Sequence, residues 1–233
     1  MTFSIASASA LLFDVDGTIA ETERDGHLIA FNRAFVEFGV PWHWTNEVYG
    51  GLLKVTGGFE RMQAYARQMQ EQGVSVNWDE SLFRRVHQRK NVCYAEILKT
   101  GGIRSRPGFV ELVQQAVARG QRWAVVTTTS HSNWSALWQH AILAVAALPD
   151  PSLVICGEDV SRKKPDPEAY ELALTKLGVT ASSCIAIEDS RNGLIAASAA
   201  GISTVIVRSE YFRGEDFSGA VCVVDELTAL LSH

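Results

Sequence analysis

The stretch Leu11-Leu12-Phe13-Asp14-Val15-Asp16-Gly17-Thr18 carries an uncharged apolar run into two carboxylates one residue apart. A short apolar run closed by a glycine reads as a buried parallel strand. Asp14 then stands at the carboxyl end of that strand, where open α/β sheets place their ligands. Asp16 and Gly17 fall in the turn, and the glycine lets backbone come close to a ligand. Two crowded carboxylates repel each other unless a cation or a difference in protonation separates them. The pair therefore points to a magnesium ion, with one carboxylate available as nucleophile and the other as acid or base. A plain polar turn fits the octet too, because Asp and Gly are ordinary turn residues. A calcium loop fits less well: Thr18, Ile19 and Ala20 stand where further oxygen ligands are needed.

Outward from this stretch, Glu21 to Gly39 carries Leu28, Phe31, Ala34, Phe35 and Phe38, one apolar helical stripe ending before Pro41. Helical patterns follow around Phe59 to Gln72 and from about Asp79 to Lys99. No strand pattern interrupts the segment from Ile19 to Gly101, which reads as an all-helical insertion. Trp42, Trp44 and Trp78 near its loops read as packing anchors, with a ligand platform as the alternative. Beyond Gly101 strands and helices alternate. Pro107 opens a helix ending near Gly120, and Trp123 to Val126 is a strand running into Thr127. A helix from about Ser132 to Val145, a strand Leu153 to Cys156 and a helix Pro167 to Leu177 follow. Strands Cys184 to Ile187, Thr204 to Val207 and Val221 to Val224 complete the series, with an alanine-rich helix after the first. Such alternation predicts a parallel sheet covered on both faces, an α/β fold.

At 233 residues, 47% hydrophobic and 20% charged, the chain has the make-up of a globular protein of one large or two modest domains. No stretch is apolar enough for long enough to span a bilayer. Met1 to Ala10 lacks the basic start and apolar core of a signal peptide, so a cytoplasmic setting is expected. Cys93, Cys156, Cys184 and Cys222 lack the paired spacing of a zinc site. Three of them sit in apolar, strand-like runs as small core residues, which suits a reducing compartment. The net charge of −5 argues against broad nucleic-acid binding. An anionic substrate would have to meet locally concentrated positive charge.

Three later strands also end in groups suited to phosphate and magnesium. Thr127 offers a hydroxyl and a backbone amide, and Lys164 a compact cation. Glu188 and Asp189 add hard oxygens. Each has a plain reading alone: a strand-end turn for Thr127, a solvated charge for Lys164, a helix N-cap for Asp189 or Ser190. In a parallel sheet, however, all four strand ends converge on one edge, and one site accounts for them together. A phosphoryl group in flight spreads negative charge over its equatorial oxygens, so its transfer calls for positioning and neutralisation. The second carboxylate must be protonated when the leaving oxygen departs, which neighbouring negative charge favours.

Asp14-Val15-Asp16-Gly17-Thr18, Thr127, Lys164-Pro165 and Glu188-Asp189 resemble the four ordered motifs of the haloacid dehalogenase superfamily. The helical insertion resembles the C1-type cap of its β-phosphoglucomutase-like branch. The resemblance spans nearly the whole chain and implies a Rossmann-like core of residues 1–20 and 101–233 with a cap of residues 21–100. It further implies that Asp14 becomes an aspartyl-phosphate and that Asp16 protonates the leaving oxygen and then activates water. Asp14, the Asp16 carbonyl, Glu188 and Asp189 would hold Mg2+, and Thr127 and Lys164 the transferring phosphoryl group. The segments Ala20 to His27, Tyr49 to Lys54 and Gly57 to Met62 are similar to CbbY-type sugar-bisphosphate phosphatases, which act on xylulose-1,5-bisphosphate. Phe59 departs from their pattern, which carries lysine there. On this resemblance Glu21, His27, Lys54 and Arg61 contact the sugar and its distal phosphate. A monomer acting on a small sugar phosphate is expected, with no nucleic-acid or membrane partner. A phosphomutase using the same aspartyl-phosphate is the alternative, and a non-catalytic binding protein is disfavoured by the intact acidic set.

Overall fold

The computed structural model describes residues 4–74 and 79–231, so Trp78 lies outside the described residues. Strand β1 (Ala10–Phe13) is the octet's apolar run, and all four of its residues are buried. Strands β2 (Arg122–Val126), β3 (Val154–Ile155), β4 (Cys184–Glu188), β5 (Ser203–Val207) and β6 (Cys222–Val224) join it in one parallel sheet of order β3-β2-β1-β4-β5-β6. Order reverses beside β1, so the crevice at the carboxyl ends of β1 and β4 is where such a sheet receives a ligand.

Period-two alternation within the strands feeds two separate cores. Leu11 and Phe13 face α5 (Phe109–Ala118) and α6 (His131–Leu137), whereas Ala10 and Leu12 face α7 (Glu168–Leu177) and α8 (Arg191–Ala199). Both faces are thus covered, which is why the strands read as nearly continuous apolar runs rather than alternating ones.

Between β1 and β2 the described chain is helical. A π-helical turn over Glu23–Leu28 leads into α1 (Ile29–Glu37), followed by α2 (Asn46–Leu52), α3 (Gly58–Glu71) and α4 (Glu80–Leu98). The short helix α2 went unread in the sequence because two glycines in its seven residues break any apolar stripe. The helix expected to reach Val145 instead ends as α6 plus a π-helical turn to Ile142. The helical layer has its own core around Phe31, Phe35, Trp44 and Met62. Trp44 lies 4.7 Å from Phe31 and 4.9 Å from Phe35, and Trp42 stacks on Phe83 at 5.1 Å. Both tryptophans therefore act as packing anchors. Among the described residues, no helix is long and apolar enough to cross a membrane.

Candidate active site

Asp14 follows directly on β1 and Thr127 on β2, while Glu188 ends β4 and Asp189 follows it. Lys164 arrives on the loop between β3 and α7. Asp14, Thr127, Lys164 and Asp189 floor a cavity of about 400 Å3 roofed by the helical layer, with Glu188 buried beneath them. The Lys164 Nζ donates to Asp14 Oδ1 at 2.7 Å, to Glu188 Oε1 at 2.6 Å and to the Val126 carbonyl at 2.7 Å. Burial opposes that ammonium charge, but Asp14 and Glu188 more than offset it and raise the lysine's pKa. Tyr170 donates to the same Glu188 oxygen at 2.5 Å. Gly17 has φ +88, and a Cβ there would collide with the Asp189 carboxylate. Only glycine lets the first turn pass so close to β4.

The carboxylates outnumber the cation. Ligand oxygens of Asp14, Glu188 and Asp189 lie within 4.8 Å of one another, and all three residues are buried. Glu188 Oε2 and Asp189 Oδ2 are buried and have no hydrogen-bond partner. Burial pushes the Asp14 carboxyl up to about 7, with the Glu188 charge adding and Lys164 opposing. Burial and the charge of Asp14 push Asp189 well above the usual carboxylate range. Three buried carboxylates with ligand oxygens this close, two of them holding an oxygen without a partner, form an all-oxygen donor set that fits a hard divalent cation.

Asp16 sits in a different environment. Burial works against its charge, yet His27, Thr22 and more distantly Lys90 hold its carboxyl well below the usual range. Thr22 Oγ1 donates to its Oδ1, and His27 Nε2 lies 3.0 Å from the same oxygen. The other ring nitrogen, His27 Nδ1, lies 2.9 Å from Lys90 Nζ, and Tyr94 stacks on the imidazole at 4.0 Å. An ammonium can only donate, so Nδ1 accepts and Nε2 carries the hydrogen directed at Asp16. The expectation that negative neighbours keep Asp16 protonated is therefore corrected: its nearest partners are donors.

Other expected positions are redistributed. Glu21 is turned away from the cavity, its Oε1 accepting from Arg106 Nη1 at 3.1 Å and the Glu210 amide at 3.2 Å. Arg106 is buried and also binds the Gly17, Arg208 and Asp225 carbonyls, so it is a fixed cation that captures this carboxylate. Glu23, two residues on, lines the cavity instead. His27, Lys54 and Arg61 do line it. Arg61 reaches Glu23 Oε1 at 3.3 Å, Tyr49 Oη at 3.0 Å and the Val55 carbonyl at 3.0 Å. Thr127 contributes only its hydroxyl, because its amide is committed to the Ile155 carbonyl at 2.9 Å. Phe59 turns towards α4, with the Arg84 guanidinium 4.8 Å over its ring.

Lys90 and Lys163 also line the cavity and were missed in the sequence. Lys90 had a signal: it is a charge on the buried stripe of α4 shared with Val86, Tyr94 and Ile97. Lys163 donates to Glu60 Oε1 at 2.5 Å, tying the loop after β3 to α3. Nothing in its sequence neighbourhood marks that reach.

A family model for haloacid dehalogenase-like hydrolases matches residues 8–201. The chain belongs to that family and is a phosphatase of its kind. Protein CbbY of Rhodobacter capsulatus is 41% identical over 223 residues, covering 94% of each chain. The crystal structure of CbbY from Rhodobacter sphaeroides in complex with phosphate is similar at a TM-score of 0.85 and 36% identity over 96% of each chain. A mutant of that protein in complex with xylulose-(1,5)bisphosphate matches at a TM-score of 0.84 and 36% identity, over 95% of each chain.

Proposed function

We propose that the enzyme is a magnesium-dependent phosphatase of a small sugar bisphosphate, xylulose-1,5-bisphosphate being the first candidate. The supporting observation is Lys164 bridging Asp14 and Glu188 beside the orphaned Asp189 oxygen. Residues 21–100 serve as a cap over the core of residues 1–20 and 101–233, and the chain works as a monomer. Asp14 and Asp189, with Glu188 behind them and the Asp16 carbonyl, would hold Mg2+. That ion supplies charge neutralisation for the phosphoryl oxygens.

The chain's own groups divide the work. Asp14 attacks phosphorus in line and takes the phosphoryl group as an acyl phosphate, while Lys164 and the Thr127 hydroxyl hold its oxygens. Lys90 passes a proton to His27 Nδ1, His27 passes its Nε2 proton to Asp16, and Asp16 delivers it to the leaving sugar oxygen. Asp16 then takes a proton from the water that attacks the acyl phosphate. Glu23 accepts from a sugar hydroxyl, and Lys54 with Arg61 binds the distal phosphate.

A phosphate-release screen over sugar mono- and bisphosphates with magnesium tests this reading. Release from a bisphosphate at higher kcat/KM than from its matching monophosphates supports it. Isomerised product without free phosphate overturns it in favour of the mutase. Loss of a charge-assisted hydrogen bond costs about 1.5 to 3 kcal/mol, roughly one to two decades in specificity. Lys54→Ala and Arg61→Ala are therefore expected to lower kcat/KM by that much on the bisphosphate and little on the monophosphate. Equal losses on both would mean that these cations only hold the cap. Lys90→Met keeps the side chain's packing against Phe31 and Tyr94. It is expected to lower kcat about 100-fold with KM little changed, the low end of the general acid–base range. An unchanged kcat would remove Lys90 from the proton path.

A further inference from the structure

We propose that His131, Cys156 and Glu158 form a second metal site, suited to a transition metal such as zinc, beside the cavity. Each residue offers one ligand atom, and the three atoms lie within 4.8 Å of one another. His131 opens α6, just after β2, and Cys156 and Glu158 lie on the loop after β3, the neighbouring strand. Those loops are fastened to each other: the Gly157 amide donates to the Thr129 carbonyl at 2.9 Å. A Cβ on Gly157 would collide with the Thr128 carbonyl, so the close approach depends on glycine.

A further residue orients the donors. Asp159 Oδ2 accepts from the Cys156 amide at 2.8 Å and lies 2.8 Å from His131 Nε2. A carboxylate on one imidazole nitrogen fixes the ring and strengthens the other as a ligand, an arrangement common behind zinc-bound histidines. Glu158 Oε2 accepts from the His131 amide at 3.1 Å, which brings the third donor to the same place. Cys156 is fully buried, whereas His131 and Glu158 are exposed, so the site opens to solvent on one side.

The donor set decides the metal. Sulfur and imidazole suit zinc, cobalt or copper, while the all-oxygen set of Asp14, Glu188 and Asp189 suits magnesium. Zinc bonds are about 2.0 to 2.3 Å long, so the donors would draw inwards on binding. Cys156 would release its thiol proton to solvent and donate the resulting lone pair, with no change of oxidation state. Three protein ligands leave a fourth position for water. Gly157 and Glu158 also line the cavity, so an ion here would sit at its rim.

The test is titration of the full chain with Co2+, after chelation and in excess magnesium. One equivalent is expected to produce a thiolate-to-cobalt charge-transfer band that zinc displaces. His131→Ala, at an exposed position, is expected to weaken cobalt binding at least tenfold, and Cys156→Ser to abolish the band. Asp14→Asn should leave the band intact, separating this site from the magnesium site. Circular dichroism of each variant establishes that it is folded, and His131→Ala carries the test if Cys156→Ser is not. Absence of the band, or a band indifferent to both substitutions, overturns the proposal.

Discussion

Asp14→Asn is expected to abolish phosphate release, with a fall in kcat on the order of 10⁴-fold or more, as for other nucleophile knockouts. Asparagine has nearly the same shape, but its amide is a very poor nucleophile. The carboxylate it replaces stands at the end of β1 with Lys164 Nζ 2.7 Å from Oδ1. The substitution removes one of three crowded carboxylates and leaves Lys164 its bond to Glu188 at 2.6 Å. The fold should therefore persist, with circular dichroism and thermal unfolding close to those of the parent. Rapid quenching of the parent with labelled substrate should trap phosphate on the protein, and the variant should trap none. Appreciable turnover in the variant, with contamination excluded, would sink the acyl-phosphate mechanism.

Removal of divalent metal is the second large effect. Chelation with EDTA is expected to stop turnover, and magnesium to restore it. Calcium should restore it poorly, because it takes more ligands at longer distances than magnesium. Stability should respond in parallel. Burial, reinforced by Glu188 against the pull of Lys164, raises the Asp14 carboxyl from 3.8 to about 7. A group raised in this way contributes its full stability below its unfolded value, and that contribution is lost as pH rises through the folded one. Asp189 is shifted in the same direction. The metal-free protein should thus lose stability between about pH 4 and pH 7 at this site. Magnesium at a hundred times its Kd returns about 2.7 kcal/mol, roughly 5 to 10 °C in Tm for a chain of this size. The gain should be larger at pH 8 than at pH 5, where protons compete for the same oxygens. Differential scanning calorimetry at both values decides it, and equal shifts would place the metal elsewhere.

What the sequence determined by itself was the sheet, its covered faces and the floor of the cavity. Parallel strands buried on both faces must be continuous apolar runs, so β1, β2, β4 and β5 announce themselves, and the sheet's topology puts their polar ends at one edge. Asp14, Thr127, Glu188 and Asp189 were legible for that reason, whereas Lys164, on the loop between β3 and α7, was legible only as part of the ordered motif set. The cap side was not legible in the same way, because helices converge on a cavity through turns and long-range packing that no spacing encodes. Glu21 and Glu23 are chemically alike and two residues apart, and only the buried Arg106 decides that the first turns away and the second faces in. Lys90 meets His27 from 63 positions along the chain, and His27 and Thr22 together hold the buried Asp16 carboxyl below its usual range. Cys156 read as a small core residue, and only the packing of two neighbouring loops sets His131 beside it. Local pattern names the elements and the residue types they carry. Which charges finally neutralise one another is settled where distant segments are pressed together and water is excluded.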